Sequence, residues 1–133
     1  MLSKRELIAH QSVIEIHQWI QEVFTGSAEH LISLEQLLNS FSNDFSMITT
    51  SGNLVNLSQV EALFRQNRGI RPSLNITIEQ CETLLETGDR IVVRYRETHQ
   101  ETDKISSRWS VAIIDTQNNN PQWQYLQETS QTI

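Results

Sequence analysis

Residues 92–113, VVRYRETHQETDKISSRWSVAI, decide the fold because they contain two strand patterns joined by a short polar turn. A two-residue turn at Thr102 and Asp103 makes these strands antiparallel neighbours and fixes their register. In that register Glu97 lies opposite Arg108. A strand beside a hydrophobic core usually carries apolar residues, so this charged pair indicates a point where the sheet meets water or a polar ligand.

The two faces of these strands differ in character, because side chains alternate along a strand. The first face runs from an apolar end to a charged end and comprises Ile91, Val93, Tyr95, Glu97, Arg108, Ser110, Ala112 and Ile114. The second face carries Arg94, Arg96, Thr98, Trp109, Val111 and Ile113. If the last strand, residues 122–129, places Glu128 opposite Ser110, then Leu126 and Glu128 join the first face, and Trp123, Tyr125 and Gln127 join the second.

These faces predict two different roles. The gradient on the first face suits a sheet that curves over helices and leaves a polar chamber at one end. The second face, left bare, would be an unusually large apolar patch for a monomer. We therefore predict a subunit interface there, formed by Arg96, Trp109, Val111, Ile113, Trp123 and Tyr125.

The first half of the chain reads as three helices. A helical apolar pattern covers about residues 4–24 and ends at Gly26, and Ser27 is predicted to cap a second helix. Ser58 and Glu61 form a capping-box pattern at the start of a third helix. With the strand-rich second half, this order predicts a single α+β domain over residues 1–133.

Composition excludes several classes of protein. The net charge is −6, and the ten Lys and Arg residues are scattered, so neither nucleic acid nor a membrane surface is an expected partner. Cys81 is the one cysteine and cannot form an intrachain disulfide, which suits a reducing compartment. Since the first residues also lack the pattern of a signal peptide, we expect a cytoplasmic protein. No metal-ligand spacing or phosphate-binding loop appears, so no metal and no cofactor are expected.

The order of short motifs resembles the nuclear transport factor 2-like superfamily, and in particular small bacterial members of unknown function. The similarity covers nearly the whole chain. It is carried by H-x-x-I (17–20), F-x-G (24–26), DF-x-MI (44–48), G-x-RP (69–72), Y-x-E (95–97), Arg-x-Ser (108–110) and a terminal Trp-to-Glu-Thr strand (123–129). No single motif is specific; their order and spacing are.

The resemblance implies a cone-shaped, cystatin-like fold in which three N-terminal helices pack in the concavity of a curved, mainly antiparallel sheet. It also implies a homodimer formed through the sheets. The superfamily includes isomerases, dehydratases, polyketide cyclases and epoxide hydrolases, and also transport factors and kinase association domains without catalysis. The fold therefore leaves the function open.

The pocket inside the cone is predicted to involve His17, Trp19, Phe45, Tyr95, Glu97, Arg108 and Glu128. Glu97 and Arg108 form either a structural ion pair at the rim or a ligand anchor, since guanidinium matches a carboxylate or carbonyl group. Glu97 and Glu128 are either an acid and a base with different environments or a solvated strand end. Tyr95 and His17 are either core residues or, respectively, a hydrogen-bond donor and a pocket base.

Three functions follow from this sequence. The leading interpretation is a homodimer whose cone binds a small organic molecule. One alternative is an acid–base enzyme of the isomerase, dehydratase or polyketide-cyclase type. The other is a non-catalytic protein-interaction module, which a cone filled by Trp19, Phe45 and Tyr95 would favour.

Overall fold

The computed structural model describes residues 1–132 and contains one six-stranded sheet. The strands are β1 (Phe41–Ile48), β2 (Leu54–Asn56), β3 (Asn75–Thr87), β4 (Arg90–Gln100), β5 (Ile105–Asp115) and β6 (Gln122–Ser130). Their order across the sheet is β2-β1-β6-β5-β4-β3. Neighbouring strands are antiparallel except for β1 and β6, which run parallel.

Three α-helices pack on the concave face of this sheet. They are α1 (Lys4–Thr25), α2 (His30–Asn39) and α3 (Leu57–Gln66). Helix α1 lies against β3 and β4, α2 packs on α1, and α3 contacts β1 and β2. The predicted α+β class, with three helices against a curved and mostly antiparallel sheet, is confirmed.

Two of the predicted helix caps differ in the structure. Helix α2 begins at His30 rather than after Ser27, whose carbonyl instead accepts a hydrogen bond from the His30 amide. Helix α3 begins at Leu57, because Asn56 and Gln59 form the capping box that was predicted for Ser58 and Glu61.

The register of β4 and β5 is as predicted. Glu97 lies opposite Arg108, and Tyr95 lies opposite Ser110. Strand β6 also follows the predicted register from Tyr125 to Ser130.

The prediction that Trp123 lies on the second face is wrong. The register between β5 and β6 shifts between Ile113 and Ile114, so that Ile113 opposes Tyr125 but Ile114 opposes Trp123. Gln124 is thus the extra residue of a β-bulge, and such a bulge turns the preceding side chain to the other face. Trp123 is buried in the core, where its indole Nε1–H donates a hydrogen bond to the Ser12 hydroxyl over 2.9 Å.

A close approach of two glycines fixes the end of α1 against the loop after α3. Gly26 has a φ of 71°, and a Cβ at that position would lie 3.0 Å from the Cα of Gly69. The Gly69 amide donates to the Val23 carbonyl, and the Arg71 amide donates to the Phe24 carbonyl. These contacts hold Arg71 beside the end of α1, at the edge of the site described below.

Candidate functional site

A cavity of about 290 Å³ lies between the concave face of the sheet, α1 and α3. Most of its wall is apolar, with contributions from Ile16, Ile20, Phe24, Phe41, Met47, Val60, Phe64, Trp123 and Leu126. The ionisable side chains of the wall are His17, Arg71, Glu97, His99, Arg108 and Glu128. The cavity thus combines an apolar body with several charged groups.

Glu97 lies between two histidines. Its side chain is almost completely buried, and its Oε1 is 3.1 Å from Nε2 of His17 on α1. Its Oε2 accepts a hydrogen bond from Nε2 of His99. His99 reaches this carboxylate because residues two apart on a strand point to the same face.

His17 is held as a cation. Its Nδ1–H donates a hydrogen bond to the Val13 carbonyl over 2.7 Å. The contact between Nε2 and the Glu97 carboxylate is attractive only if a proton also lies between these two groups. Burial would lower the pKa of His17, but the Glu97 carboxylate outweighs burial and raises this pKa above 6.5. Burial would raise the pKa of Glu97, yet His17 and His99 hold it well below 4.5. The Nε2–Oε1 contact is an ion pair at 3.1 Å without the angle of a good hydrogen bond.

His99 has one free ring nitrogen. Since its Nε2–H donates to Glu97, Nδ1 carries a lone pair in the neutral ring. This Nδ1 is buried and has no hydrogen-bond partner among residues 1–132. A carboxylate at one nitrogen of an imidazole and a free lone pair at the other is the arrangement that orients a general base.

Arg108 pairs with Glu128 rather than with Glu97. Nη1 of Arg108 is 3.5 Å from Oε1 of Glu128, and the two side chains are 22% and 11% exposed. The two histidines occupy both oxygens of Glu97, so Arg108 turns to the carboxylate of the next strand. Burial and the Glu97 charge raise the pKa of Glu128, although Arg108 opposes this shift.

Arg71 contributes a second guanidinium to the cavity wall. It forms an ion pair with Glu101 at 3.0 Å, and its guanidinium lies 5.7 Å from the centre of the Phe24 ring. Lys104 also approaches Glu101, at 3.5 Å. Arg71 therefore connects the loop after α3 to the hairpin between β4 and β5 at one side of the cavity.

The structure brings four of the seven predicted pocket residues to the cavity: His17, Glu97, Arg108 and Glu128. The other three do not line it. Phe45 and Tyr95 are buried in the core, and Trp19 packs against that core with part of its surface exposed. Tyr95 packs edge-on against His17 with ring centres 5.2 Å apart, and burial together with the Glu97 charge raises its pKa well above 10.

Sequence reasoning missed His99 and Arg71. The Glu97-x-His99 spacing on one strand contained the signal for His99, because it places both side chains on one face. Arg71 gave no comparable signal, since its position depends on the tertiary contact between Gly26 and Gly69. In the part of the chain that the structure describes, no group of His, Cys, Asp and Glu side chains is suited to a metal ion.

The convex face of the sheet carries the residues predicted for a subunit interface, except Trp123. Trp109, Val111, Ile113 and Tyr125 are only partly buried there, because none of the helices within residues 1–132 covers this face. Arg94 stacks over Trp109 at 5.9 Å from the ring centre, and Arg96 donates hydrogen bonds to Ser107 and Gln131. The face is thus an apolar strip flanked by arginines. No helix within residues 1–132 is long and apolar enough to cross a membrane.

Several solved structures have the same fold. An NTF-2-like protein of unknown function from Pseudomonas aeruginosa is 27% identical, with a TM-score of 0.89, over 94% of this chain and 99% of that one. A putative Ca/calmodulin-dependent kinase II association domain from Exiguobacterium sibiricum is 17% identical, with a TM-score of 0.69, over 100% of this chain and 98% of that one. A ketosteroid isomerase-like protein from Erwinia carotovora atroseptica is 8% identical, with a TM-score of 0.71, over 99% and 100% of the two chains.

No protein-family model and no curated protein matches the sequence. The similarity to the Pseudomonas protein extends over nearly the full length of both chains. On these grounds the chain has the fold of the nuclear transport factor 2-like superfamily.

Proposed function

We propose that the cavity binds a small organic molecule. A volume of about 290 Å³ lies at the lower end of the range of ligand pockets, and a mostly apolar wall with a few convergent polar groups is typical of such sites. The observation that carries the proposal is the buried cluster of His17, Glu97 and His99 at this wall. Burying charges is costly, and groups with perturbed pKa values concentrate at functional sites.

The open cavity favours ligand binding over a purely structural interaction module. A module would be favoured by a cone filled with Trp19, Phe45 and Tyr95, but these residues do not line the cavity. Two arginines of the wall, Arg71 and Arg108, instead leave part of their surface exposed.

A fragment screen by NMR tests ligand binding. Bound fragments should shift the methyl signals of Val60 and Leu126, which line the cavity. Leu63 also lines it and is 51% exposed, so Leu63→Trp should narrow the site without disturbing the core. Leu31→Trp is a matched control, because Leu31 is 54% exposed and does not line the cavity. Hits that bind both variants alike would contradict the proposal.

We also propose that the chain forms a homodimer through the convex face. The uncovered strip of Trp109, Val111, Ile113 and Tyr125 supports this, since exposed apolar patches mark interaction sites. The similarity in fold to an association domain is consistent with self-association. A cytoplasmic location belongs to the same proposal, because a chain with one cysteine gains no intrachain disulfide from an oxidising compartment.

Acid–base catalysis on the bound molecule is a second candidate function. The orientation of His99 by Glu97 favours it, since this leaves Nδ1 as a base. For any compound that the purified protein converts, His99→Gln should lower kcat by roughly 100-fold or more while the fold is kept. An unchanged kcat in His99→Gln would remove this candidate and leave the binding function intact.

A further inference from the structure

The Arg108–Glu128 pair is an ion pair with unused hydrogen-bonding capacity. Charge-assisted hydrogen bonds between a guanidinium and a carboxylate are about 2.7–2.9 Å long, whereas the shortest contact here is 3.5 Å. Neither side chain makes a shorter polar contact with another of residues 1–132. Yet both are mostly buried and both line the cavity. Both side chains therefore face the cavity with donors and acceptors to spare, so a ligand that formed hydrogen bonds with them would gain affinity.

The charges around the pair restrict that ligand to a neutral group. His17 and Glu97 balance each other, and so do Arg108 and Glu128. Arg71 pairs with Glu101, which Lys104 also approaches. A carboxylate placed beside Arg108 would also meet the like charge of Glu128, and an ammonium beside Glu128 would meet Arg108. A neutral group with a hydrogen-bond acceptor next to a donor meets neither of these like-charge repulsions.

Resting on the proposed binding function, we propose that the cavity recognises a neutral carboxamide-type group: a primary amide, a lactam or a related C(=O)–NH edge on an apolar body. The carbonyl oxygen accepts a hydrogen bond from the Arg108 guanidinium, and the N–H donates to the Glu128 carboxylate. The apolar body lies against the wall that includes Phe24, Val60 and Leu126. Arg108 provides several donors in a fixed planar fork, and a carboxylate has acceptor sites to spare, so both can serve the ligand while they remain paired.

Five probes of similar size test this proposal: benzamide, acetophenone, toluene, benzoate and benzylamine, each titrated against the wild-type protein by NMR. Benzamide should bind most tightly. The loss of one hydrogen bond in acetophenone should weaken binding up to roughly tenfold, and benzoate and benzylamine should bind more weakly still.

Two variants test whether the order of probe affinities depends on the Arg108–Glu128 pair. Glu128→Gln removes the negative charge at nearly constant shape, so benzoate should gain affinity relative to benzamide. Arg108→Lys keeps the charge but loses the fork, and it should weaken benzamide more than toluene. Arg90→Leu, at an exposed position of β4, should leave the ranking unchanged.

The results of these titrations distinguish failure of the carboxamide proposal from failure of the proposed ligand-binding function. If toluene binds as well as benzamide, or if benzoate binds best to the wild type, the carboxamide proposal is overturned while ligand binding stands. If none of the five probes shifts the signals of Val60 and Leu126, both are overturned.

Discussion

Glu97 and Arg108 lie directly opposite each other on β4 and β5, yet their charges are paired with different residues. Glu97 is bound by His17 and His99, and Arg108 contacts Glu128. The two strands are polar at this point because they form the charged part of a cavity wall. Each charge there is balanced by a side chain from another element or strand, so the site depends on the tertiary fold.

Removing the charge of Glu97 should strongly destabilise the protein. Glu97→Gln leaves the His17 imidazolium buried without its counter-ion, and breaking a buried ion pair in this way typically costs about 3–5 kcal/mol. Urea denaturation at pH 6 measures the change in the free energy of unfolding. Glu82→Gln is a suitable control, because the Glu82–Arg94 pair is exposed and should contribute little. Equal effects of the two substitutions would contradict a buried charge at Glu97.

The same ion pair should make stability depend on pH. The folded-state pKa of His17 is raised above 6.5, so its contribution is fully present below pH 6.5 and is lost as the pH rises through the folded-state value. The folded-state pKa of Glu97 is depressed below 4.5, so its contribution is fully present above pH 4.5 and is lost as the pH falls through the folded-state value.

The difference in unfolding free energy between the wild type and Glu97→Gln should therefore be largest between about pH 4.5 and 6.5. It should shrink on the alkaline side as His17 loses its proton. Denaturation curves across pH 4–9 measure this difference, and an NMR titration of His17 measures its pKa independently. A difference that stays constant from pH 5.5 to pH 9 would show that His17 is not the partner.

The register of the central hairpin was predictable because a two-residue turn leaves one antiparallel pairing, and alternation then assigns each side chain to a face. The same reasoning failed at Trp123, since the bulge at Gln124 has no turn residue or glycine to mark it. The start of α3 was ambiguous for a related reason. NLSQVE contains two overlapping capping boxes, and the structure uses the first, where Asn56 also ends β2.

The strand residues of the candidate site were predictable from the register of the sheet. Glu97, Arg108 and Glu128 follow from the register of β4, β5 and β6. The contact of His17 with Glu97 joins α1 to β4, and no local pattern encodes the angle at which a helix crosses a sheet. The sequence therefore indicated which face is polar, but it did not predict how the charges on that face are paired.

The hydrogen bond from Trp123 to Ser12 should contribute measurably to stability. Ser12→Ala leaves a buried indole N–H without an acceptor, which costs about 1–3 kcal/mol. In the background of Trp123→Phe, which has no such donor, Ser12→Ala should have little effect. A double-mutant cycle by denaturation measures the coupling between the two residues. Additive effects would mean that the hydrogen bond contributes nothing.

Val111→Glu should separate the subunits of the proposed dimer. Val111 lies in the middle of the convex strip between Trp109 and Ile113, so a carboxylate there would lose its hydrating water when two copies associate. Arg94, opposite it on β4, would offset only part of that cost. Sedimentation velocity at micromolar concentration should give a dimer for the wild type and a monomer for the variant. Ile14→Glu is the matched control, because Ile14 is 52% exposed on α1, away from the convex face, and this variant should remain a dimer. A wild-type protein that sediments as a monomer at this concentration would refute the interface, and a Val111→Glu variant that remains dimeric would place the contact on another surface.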